Sequence, residues 1–547
     1  MRVLGINAVF HDPSAALIVD GTIVAAAEEE RFTRRKHGKP CVPFSTWELP
    51  IQSARWCLET AGVRPAQLDA VAYSYDPELA LQTGGDLLAH EYEELRTFYV
   101  RRAPGFLADA LPGLDPARLR FVPHHVAHAA SAYLAGPHRT CSVIVLDGRG
   151  ERGSYLAGRA VDGTFEVFER QELPHSLGLR YEDLTVHLGF ARSSDEYKVM
   201  ALAAYGTPRF LPQLRELIHP VEGGFVAPAV DYARFAPARA KDGELLPAHA
   251  DLAASVQHRL QELLLALAAR LHARTGDDAL VMAGGVALNC VANTHLAENG
   301  PFAHVWVQPA AGDAGTALGA ALYAAHALGD RVTPMETAAL GRSWDDGALA
   351  ERLATMRVDY RHCDDVAERV AELLAENAIV AWFQGRSEFG PRALGHRSLL
   401  AHPGHADNLR RLNDIKGREQ FRPVAPMVLA ERAPAIFEGP LPSPYMLFTH
   451  RVRAEWRERL AAVTHVDGTA RVQTVDARLE PLVARMLEAF ETRTGLPVVV
   501  NTSFNTDGRP MVDDPRDALE CFGSAPIDAL AIGPFLLART PQVALSA

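Results

Sequence analysis

Two imidazoles, His124 and His128, are the first residues in this chain whose type and spacing could do chemistry. They lie in FVPHHVAHAASAY, residues 121–133, at spacing i, i+4, so on a helix both rings reach one point off the same face while His125 points elsewhere. With 22 histidines in 547 residues, about one such pair arises by chance, so a packed core pair is the plain alternative. Context decides between them. CSVIVLDGRGERGS carries Asp147, and HVWVQPAAGDAGTALGAAL carries Asp313, each aspartate ending an apolar strand beside glycines. Two imidazoles and two carboxylates make a donor set for a divalent cation such as Fe(II), Mn(II) or Zn(II), and a poor one for a thiolate-loving metal.

The elements that must position these residues can be read in order. RVLGINAVFHDPSAALIVDGTIVAAAEEERFTRRKHG reads as strand, turn, strand, Asp-Gly hairpin, strand, with Asn7, His11, Asp12 and Ser14 in the first tip. The third strand runs into the basic cluster Arg31, Arg34, Arg35, Lys36 and His37, which is either a solvated loop or a polyphosphate-facing edge. A helix around residues 49–63 and the strand LDAVAYSY follow, then two expected helices with a proline-rich break over about 85–118. After the histidine helix, CSVIVLDGRGERGSYLAGRAVDGTFEVFERQEL repeats the strand, acidic tip, Asp-Gly hairpin and strand of the first unit.

A repeated hairpin of this kind is the mark of the actin-like ATPase fold, whose two duplicated sheets close on a nucleotide, with two ordinary hairpins as the alternative. Backbone amides of the glycine-rich tips can hold its phosphates without side chains. The segment with Asp195, Glu196 and Lys198 forms a polar turn before an apolar run, and residues 251–275 keep helical periodicity, the mark of a packing helix. DDALVMAGGVALNCVAN reads as strand, Gly284-Gly285, helix, with Asn289 and Asn293 one turn apart; a glycine pair there admits a flat base or ribose close to the backbone.

A compositional shift over 331–347 marks a linker, dividing the chain into an expected domain of residues 1–340 and a second of 345–547. The second carries many guanidinium groups in glycine-rich loops after strands: Arg386, Arg392 and Arg397 with Glu388 and His396, then Asn413, Lys416, Arg418 and Arg422, then Arg471, and finally Asn501, Thr502, Ser503 and Asn505 in LPVVVNTSFN. Arginines so placed read as a pocket for small anions, with ion pairing to nearby acids as the alternative.

Length excludes a single core, and 48% hydrophobic with 22% charged residues is ordinary for a globular chain. No apolar run approaches the roughly 20 residues that span a bilayer. The start, MRVLGINAVF, has no apolar core leading to a small-residue cleavage site, so the expected location is cytoplasmic and no membrane partner is expected. Six scattered cysteines without a CxxC pair are expected to be reduced. A net charge of −12 argues against a nucleic-acid surface.

Taken together, HHVAHAASAY, VLDGRGE, EYKVMALAAYG, AGGVALN, GDAGTALGA, GRSEFGPRALGHRS, KGREQFRPVAP and VVNTSFN resemble the O-carbamoyltransferases of natural-product biosynthesis, the NodU and cephalosporin-carbamoylating family. The resemblance covers nearly the whole chain. It implies a TsaD-like, actin-like amino-terminal domain and a YrdC-like α/β carboxy-terminal domain. It implies metal ligands at His124, His128, Asp147 and Asp313, with Fe(II) the usual cation. Nucleotide contacts fall on Lys36, on Asp147, Gly148, Arg149, Gly150 and Glu151, and on Gly284, Gly285 and Asn289. Contacts to carbamoyl phosphate and a carbamoyl-adenylate fall on Arg392, Lys416, Arg418, Arg422, Arg471, Asn501, Ser503 and Asn505.

His11, Lys198, Arg392 and Asp147 are the implied catalytic groups, with His11 meeting the acceptor alcohol. One departure is visible: the turn before Lys198 reads SSDEY, where the tobramycin-carbamoylating type is richer in glycine, so the acceptor is not carried over. The implied reaction uses ATP with Mg2+ and carbamoyl phosphate, forms carbamoyl-adenylate in the arginine-rich pocket, and passes the carbamoyl group to a hydroxyl of a glycosylated natural product. The resemblance leaves room for a homodimer. A tRNA-modifying or hydrogenase-maturing enzyme is the alternative of shared domain types, and a nucleotide-binding module without catalysis is another. A metalloprotease reading of HxxxH lacks the helical glutamate that would activate water.

Overall fold

The computed structural model describes residues 1–39, 47–80, 90–506 and 508–539. They form a mixed α/β architecture of two compact units, Met1–Ala338 with Phe389–Pro391, and Ala339–Glu388 with Arg392–Ala547. Among the described residues no helix is long and apolar enough to cross a membrane. The five described cysteines are free thiols, and Cys41 lies outside the described residues.

Two five-stranded sheets of one plan make the first unit. In one sheet, β1 (Arg2–Asn7), β2 (Ser14–Val19) and β3 (Thr22–Glu28) run antiparallel, and β4 (Ala70–Tyr73) and β5 (Leu119–Phe121) continue in parallel beyond β1. In the other, β6 (Thr140–Leu146), β7 (Gly153–Val161) and β8 (Thr164–Glu172) repeat the antiparallel set. A two-stranded ribbon of β9 (His219–Val221) and β10 (Gly224–Val226) intervenes, and β11 (Ala279–Ala283) and β12 (His304–Val307) complete that sheet in parallel to β6. The strand orders, β3-β2-β1-β4-β5 and β8-β7-β6-β11-β12, correspond position by position.

Local sequence explains the shared plan. Both Asp-Gly turns hold both residues at positive φ, 50° and 77° at Asp20-Gly21 and 48° and 86° at Asp162-Gly163. Such turns match the twist of the strands they join. The central strands β1 and β6 are buried on both faces and read as near-continuous apolar runs, whereas the edge strand β8, TFEVFERQE, carries charges that discourage further pairing.

The helix Ala314–Ala327, AGTALGAALYAAHA, packs on β1 and β2 and against the helix His124–Tyr133. Its small residues permit an unusually close approach: a Cβ on Gly319 would lie 1.8 Å from the Ala127 carbonyl oxygen. Glycine is required there by space. The consequence is that Asp313, the residue before this helix, lies beside the histidine helix.

The expected pair of helices over 85–118 is not what forms. Residues 81–89 are outside the described range, and a single helix, His90–Ala110, runs through Pro104. Proline inside a helix costs about 3 kcal/mol. The stripe of Val100, Ala103, Leu107 and Leu111, buried against the first sheet's core, offsets that cost.

The second unit holds an eight-stranded mixed sheet: β13 (Arg361–His362), β14 (Val380–Phe383), β15 (Arg397–Ala401), β16 (Ala425–Leu429), β20 (Gln473–Val475), β21 (Val498–Ser503), β22 (Ala529–Ile532) and β23 (Phe535–Ala538). Its order is β13-β23-β22-β14-β15-β21-β16-β20, with a separate three-stranded sheet of β17 (Phe437–Glu438), β18 (His450–Val452) and β19 (Thr469–Ala470). Alternate residues of β14 serve two cores, Ala381 and Phe383 on one face, Val380 and Trp382 on the other.

Phe389–Pro391, though embedded in the sequence of the second unit, belongs to the first. The Gly390 amide donates to Glu28 Oε1 at 2.7 Å, and Arg31 Nη2 donates to the Gly390 carbonyl at 3.0 Å. Glu28 and Arg31 are both buried, so this backbone clamp is shielded from water.

Candidate active site

Four chain segments converge on one buried point in the first unit. His124 and His128 come from one helix face, Asp147 from the end of β6, and Asp313 from the turn before Ala314–Ala327. Their donor atoms lie within 4.8 Å of one another, and all four residues are buried. His124 Nε2 stands 3.2 Å from His128 Nε2 and 3.5 Å from both Asp147 Oδ2 and Asp313 Oδ1. His128 Nε2 stands 3.8 and 3.5 Å from the same two oxygens. Donors each about 2.1 Å from a cation stand roughly 3.0–3.4 Å apart at octahedral to tetrahedral angles; the separations here, 3.2 to 3.8 Å, are a few tenths of an ångström wider for most pairs, so the four residues fit a divalent ion on which they draw in slightly.

Supporting contacts orient these donors. The Ser74 carbonyl accepts from His124 Nδ1 at 3.1 Å, which puts the proton there and leaves Nε2 as the ligating nitrogen. The Gly285 amide donates to Asp147 Oδ1 at 2.9 Å and so presents Oδ2 to the centre. Asp313 Oδ2 and His128 Nδ1 are buried with no hydrogen-bond partner among the described residues. Burial opposes charge on His124, but hydrogen bonds to Asp147 and Asp313 outweigh it and raise the group to about 10. Burial also opposes ionisation of Asp147, yet its hydrogen bond from His124 and the charges of His128 and His124 hold it well below the ordinary carboxylate range. The site demands positive charge.

His11 lies at the first hairpin tip, its Nε2 3.7 Å from Asp313 Oδ2. The tip is braced from below by Asn7, wholly buried at the end of β1, whose Nδ2 donates to the carbonyls of His11 at 3.1 Å and Asp12 at 3.0 Å. Phe10 packs edge-on to His124 with ring centres 5.3 Å apart.

The expected nucleotide residues are distributed as follows. Gly148, Arg149 and Gly150 form the tip between β6 and β7, closed by the Gly150 amide donating to the Gly153 carbonyl at 2.8 Å. Glu151 turns away from that tip: its Oε1 accepts from the backbone amides of His124 at 2.7 Å and Asp76 at 2.8 Å, fixing the start of the histidine helix. Gly284 takes φ 93° and its amide donates to the Ala311 carbonyl, and a short 3-10 turn, Gly285–Leu288, precedes the helix Cys290–Asn299. Asn289 caps that helix and its Nδ2 donates to Gln257 Oε1 at 2.8 Å. Lys36 is half-exposed with Nζ 3.9 Å from Glu30 Oε2, and Lys198 Nζ pairs with Asp195 Oδ2 at 3.2 Å.

In the second unit Lys416 is the clearest convergence point. Its buried Nζ donates to the Ser503 carbonyl at 2.5 Å, Ser503 Oγ at 2.9 Å and Asn505 Oδ1 at 2.5 Å. Buried Asn501 donates from Nδ2 to Gln473 Oε1 at 2.7 Å and the Ala393 carbonyl at 3.1 Å, while its Oδ1 has no hydrogen-bond partner among the described residues. Arg392 precedes Ala393 and is half-buried, as is Arg471, two residues before Gln473. Arg418 Nε donates to Asn413 Oδ1, and Arg422 Nη1 stands 3.4 Å from Glu419 Oε2.

Two arginines of the expected anion pocket serve otherwise. Arg397 is fully buried over Phe383, donating to the carbonyls of Gln384 at 2.7 Å and Arg342 at 2.9 Å, and Arg386 donates to those of Gly341 and Leu340. They brace the loop. Glu388 does the same with opposite charge, its Oε1 accepting from the amides of Leu394, His396 and Arg397.

Models for the carbamoyltransferase amino terminus match residues 2–114 and 107–322, and one for the carbamoyltransferase carboxy terminus matches 371–539. The chain belongs to the carbamoyltransferase family. The nodulation protein NolNO of Sinorhizobium fredii is 38% identical, covering 97% of this chain and 80% of the relative, and nodulation protein U of Rhizobium tropici is 31% identical, covering 95% and 93%. An uncharacterised Synechocystis protein is 35% identical, covering 99% of this chain and 97% of the relative. Among solved structures, HypF of T. kodakarensis aligns over 61% of this chain and 48% of its own with a TM-score of 0.34 at 16% identity. The protein is thus a transferase by family.

For this carbamoyltransferase the supporting residues were the hardest to foresee. Ser74 acts through its backbone carbonyl, which any residue type supplies, so no sequence signal marks it. Glu182, on the helix Leu177–His187, is partly buried with Oε1 3.1 Å from where a Cβ on Gly148 would sit, and desolvation raises its carboxyl above the ordinary range against the nearby charges of Arg149 and Arg192.

Proposed function

We propose that this protein is an ATP-dependent O-carbamoyltransferase that takes its carbamoyl group from carbamoyl phosphate through carbamoyl-adenylate to a hydroxyl of a natural product, with the sugar of an antibiotic as the acceptor class. The observation that carries the reading is the buried convergence of His124, His128, Asp147 and Asp313 with His11 beside it. The two sheets of matching strand order support an actin-like, TsaD-like fold for the first unit. The second unit, with its lysine and arginine loops, is read as the YrdC-like part, the division falling near residues 340–345.

Two half-reactions follow. In the second unit, Lys416, Arg392, Arg418, Arg422 and Arg471 present cationic donors for carbamoyl phosphate and for the phosphates of MgATP. Water takes the phosphoryl group of carbamoyl phosphate as the P–O bond to the carbamoyl oxygen breaks, giving inorganic phosphate and carbamate, and a carbamate oxygen then bonds to the α-phosphorus of ATP as the bond to pyrophosphate breaks. Positioning and charge carry such steps, and few proton-transfer groups are needed.

In the first unit, the acceptor hydroxyl bonds to the carbamoyl carbon, the bond to AMP breaks, and the hydroxyl proton passes to His11 Nε2. The backbone amides of Gly148 and Arg149 in the β6–β7 tip are the phosphate-facing groups, beside the Gly284-Gly285 turn, whose own amides are committed to the Ala311 carbonyl and Asp147 Oδ1, with Lys36 as a countercharge. A divalent cation held by the two histidines and two aspartates, Fe(II) in this proposal, would supply positive charge and Lewis acidity at a phosphate oxygen.

The test is ATP turnover with a panel of alcohols. Pyrophosphate release that requires carbamoyl phosphate, and mass-detected carbamoylation of at least one sugar alcohol or glycosylated compound, is the expected result. Pyrophosphate release driven by threonine and bicarbonate instead would move the protein to the tRNA-modifying class.

A further inference from the structure

The tip that carries His11 is connected to a second histidine through one carboxylate. Asp12 Oδ2 is 2.9 Å from His11 Nδ1, and Asp12 Oδ1 is 2.9 Å from His37 Nδ1. His37 Nε2 is in turn 2.8 Å from Ser194 Oγ, and the His37 amide donates to Glu30 Oε2 at 2.8 Å. Thus the first hairpin tip, the basic turn after β3 and the SSDE turn at 193–196 share one line of hydrogen bonds. Two residues on it, Asp12 and His37, and Ser193 next to Ser194, hold positive φ of 49°, 62° and 55° without being glycine. Backbone held in that region is uncommon for residues other than glycine and gathers where geometry serves function.

The bond directions are self-consistent in only one way when both imidazoles are neutral. An ionised Asp12 only accepts, so both Nδ1 atoms carry protons. His37 Nε2 then accepts from the Ser194 hydroxyl, and His11 Nε2, the nitrogen on the side of Asp313, is left as a base. His37 also occupies the second oxygen of Asp12, so the carboxylate cannot rotate away from His11. Burial disfavours its charge, but His37 and His11 hold it well below the ordinary carboxylate range, consistent with a standing anion.

We propose that Asp12 is a positioning residue for carbamoyl transfer: it locks His11 in the Nδ1–H tautomer, and the His37–Ser194 arm holds Asp12 in place and ties the base to the 193–196 turn. The proposal deepens the reading of His11 as the proton acceptor and rests on it. Asp12, Glu30 and His37 could also be ligands of a second cation, and the test separates the two.

The variant is Asp12→Asn, because asparagine tolerates the left-handed backbone and keeps the volume. Its carboxamide can accept from one ring only and faces the other with an N–H. Histidine-labelled nitrogen NMR on the zinc-loaded full chain, with His11 assigned by His11→Gln, reads the tautomer directly. The expected result is an Nδ1–H His11 in the parent, a shift toward the Nε2–H form in Asp12→Asn, and a smaller shift in His37→Leu that His37→Gln, which keeps a donor, reverses.

Carbamoylation of the best alcohol from the panel should fall on the order of 10²-fold in Asp12→Asn, with carbamoyl-phosphate-dependent pyrophosphate release unchanged. An unchanged His11 tautomer in Asp12→Asn overturns the proposal. So does full transfer in Asp12→Asn when His11→Asn has lost it, which leaves the base reading standing; full transfer in both variants removes that reading too. Binding of a second zinc per chain that Glu30→Gln abolishes would make the cluster a cation site and overturn the relay.

Discussion

His124 Nε2 and His128 Nε2 face each other across 3.2 Å with no water-exposed surface on either ring. Two imidazole lone pairs at that distance repel unless a proton or a cation lies between them, and the flanking carboxylates of Asp147 and Asp313 favour a double positive charge over a single one.

Removing one member of that pair should therefore empty the site. His124→Ala is expected to reduce bound metal, read by elemental analysis, to below about a tenth of an equivalent and to abolish transfer. Carbamoyl-phosphate-dependent pyrophosphate release should persist. A metal-free preparation with full transfer would falsify the ligand reading.

His11→Asn separates the half-reactions differently. Loss of a general base costs typically 10²–10⁴-fold, so alcohol carbamoylation should drop by about that factor while metal content stays at the parent level. An unaltered transfer rate would reassign the proton.

Packing is testable at Gly319. Its Cβ would fall 1.8 Å from the Ala127 carbonyl, so Gly319→Ala must push the helix Ala314–Ala327 off the histidine helix. A loss of about 1–3 kcal/mol is expected, seen as a lower melting temperature, together with weaker metal binding because Asp313 moves with its helix. A variant as stable as the parent would show that the two helices are not held in this contact.

The Lys416 ammonium, surrounded by oxygens of Ser503 and Asn505, should matter only to the first half-reaction. Lys416→Met is expected to lower pyrophosphate release on the order of 10²-fold, leaving bound metal intact. Parent-level release would take the lysine out of the anion site.

Stability should respond to pH through Glu196, whose burial raises its carboxyl from 4.5 to about 7. The unfolded chain gives up this proton first, so the folded state binds more protons between those values and loses stability as pH rises from about 4.5 to about 7. Glu196→Gln removes the dependence. The gap in melting temperature between variant and parent should thus widen in favour of the variant from pH 4 to pH 8; a constant gap would show that the group titrates normally.

What could be read beforehand follows from how local each signal is. The histidine pair is a spacing on one helix, and the two aspartates end strands beside glycines, so their types and positions were visible even though the 188 residues between His124 and Asp313 were not bridged by any pattern. Residues that act at a distance were illegible. Glu151 is an acid in a phosphate-type tip, yet its carboxylate is committed to amides 27 and 75 positions away. Arg397 has the look of an anion ligand, and only its contacts, which include the carbonyls of Gln384 and Arg342 and the ring of Phe383, reveal a brace. Pro104 announced a helix break that the buried stripe from Val100 to Leu111 overrode.

The Gly390 clamp has a consequence for how this gene can be divided. A cut in the stretch between the two matched halves would strand three residues that the amino-terminal piece needs inside itself, leaving the carboxylate of Glu28 and the guanidinium of Arg31 to face each other without the peptide that separates their demands. Expressed alone, that fragment should be insoluble, and supplying the other fragment in trans should restore it only if the Phe389–Pro391 segment travels with it.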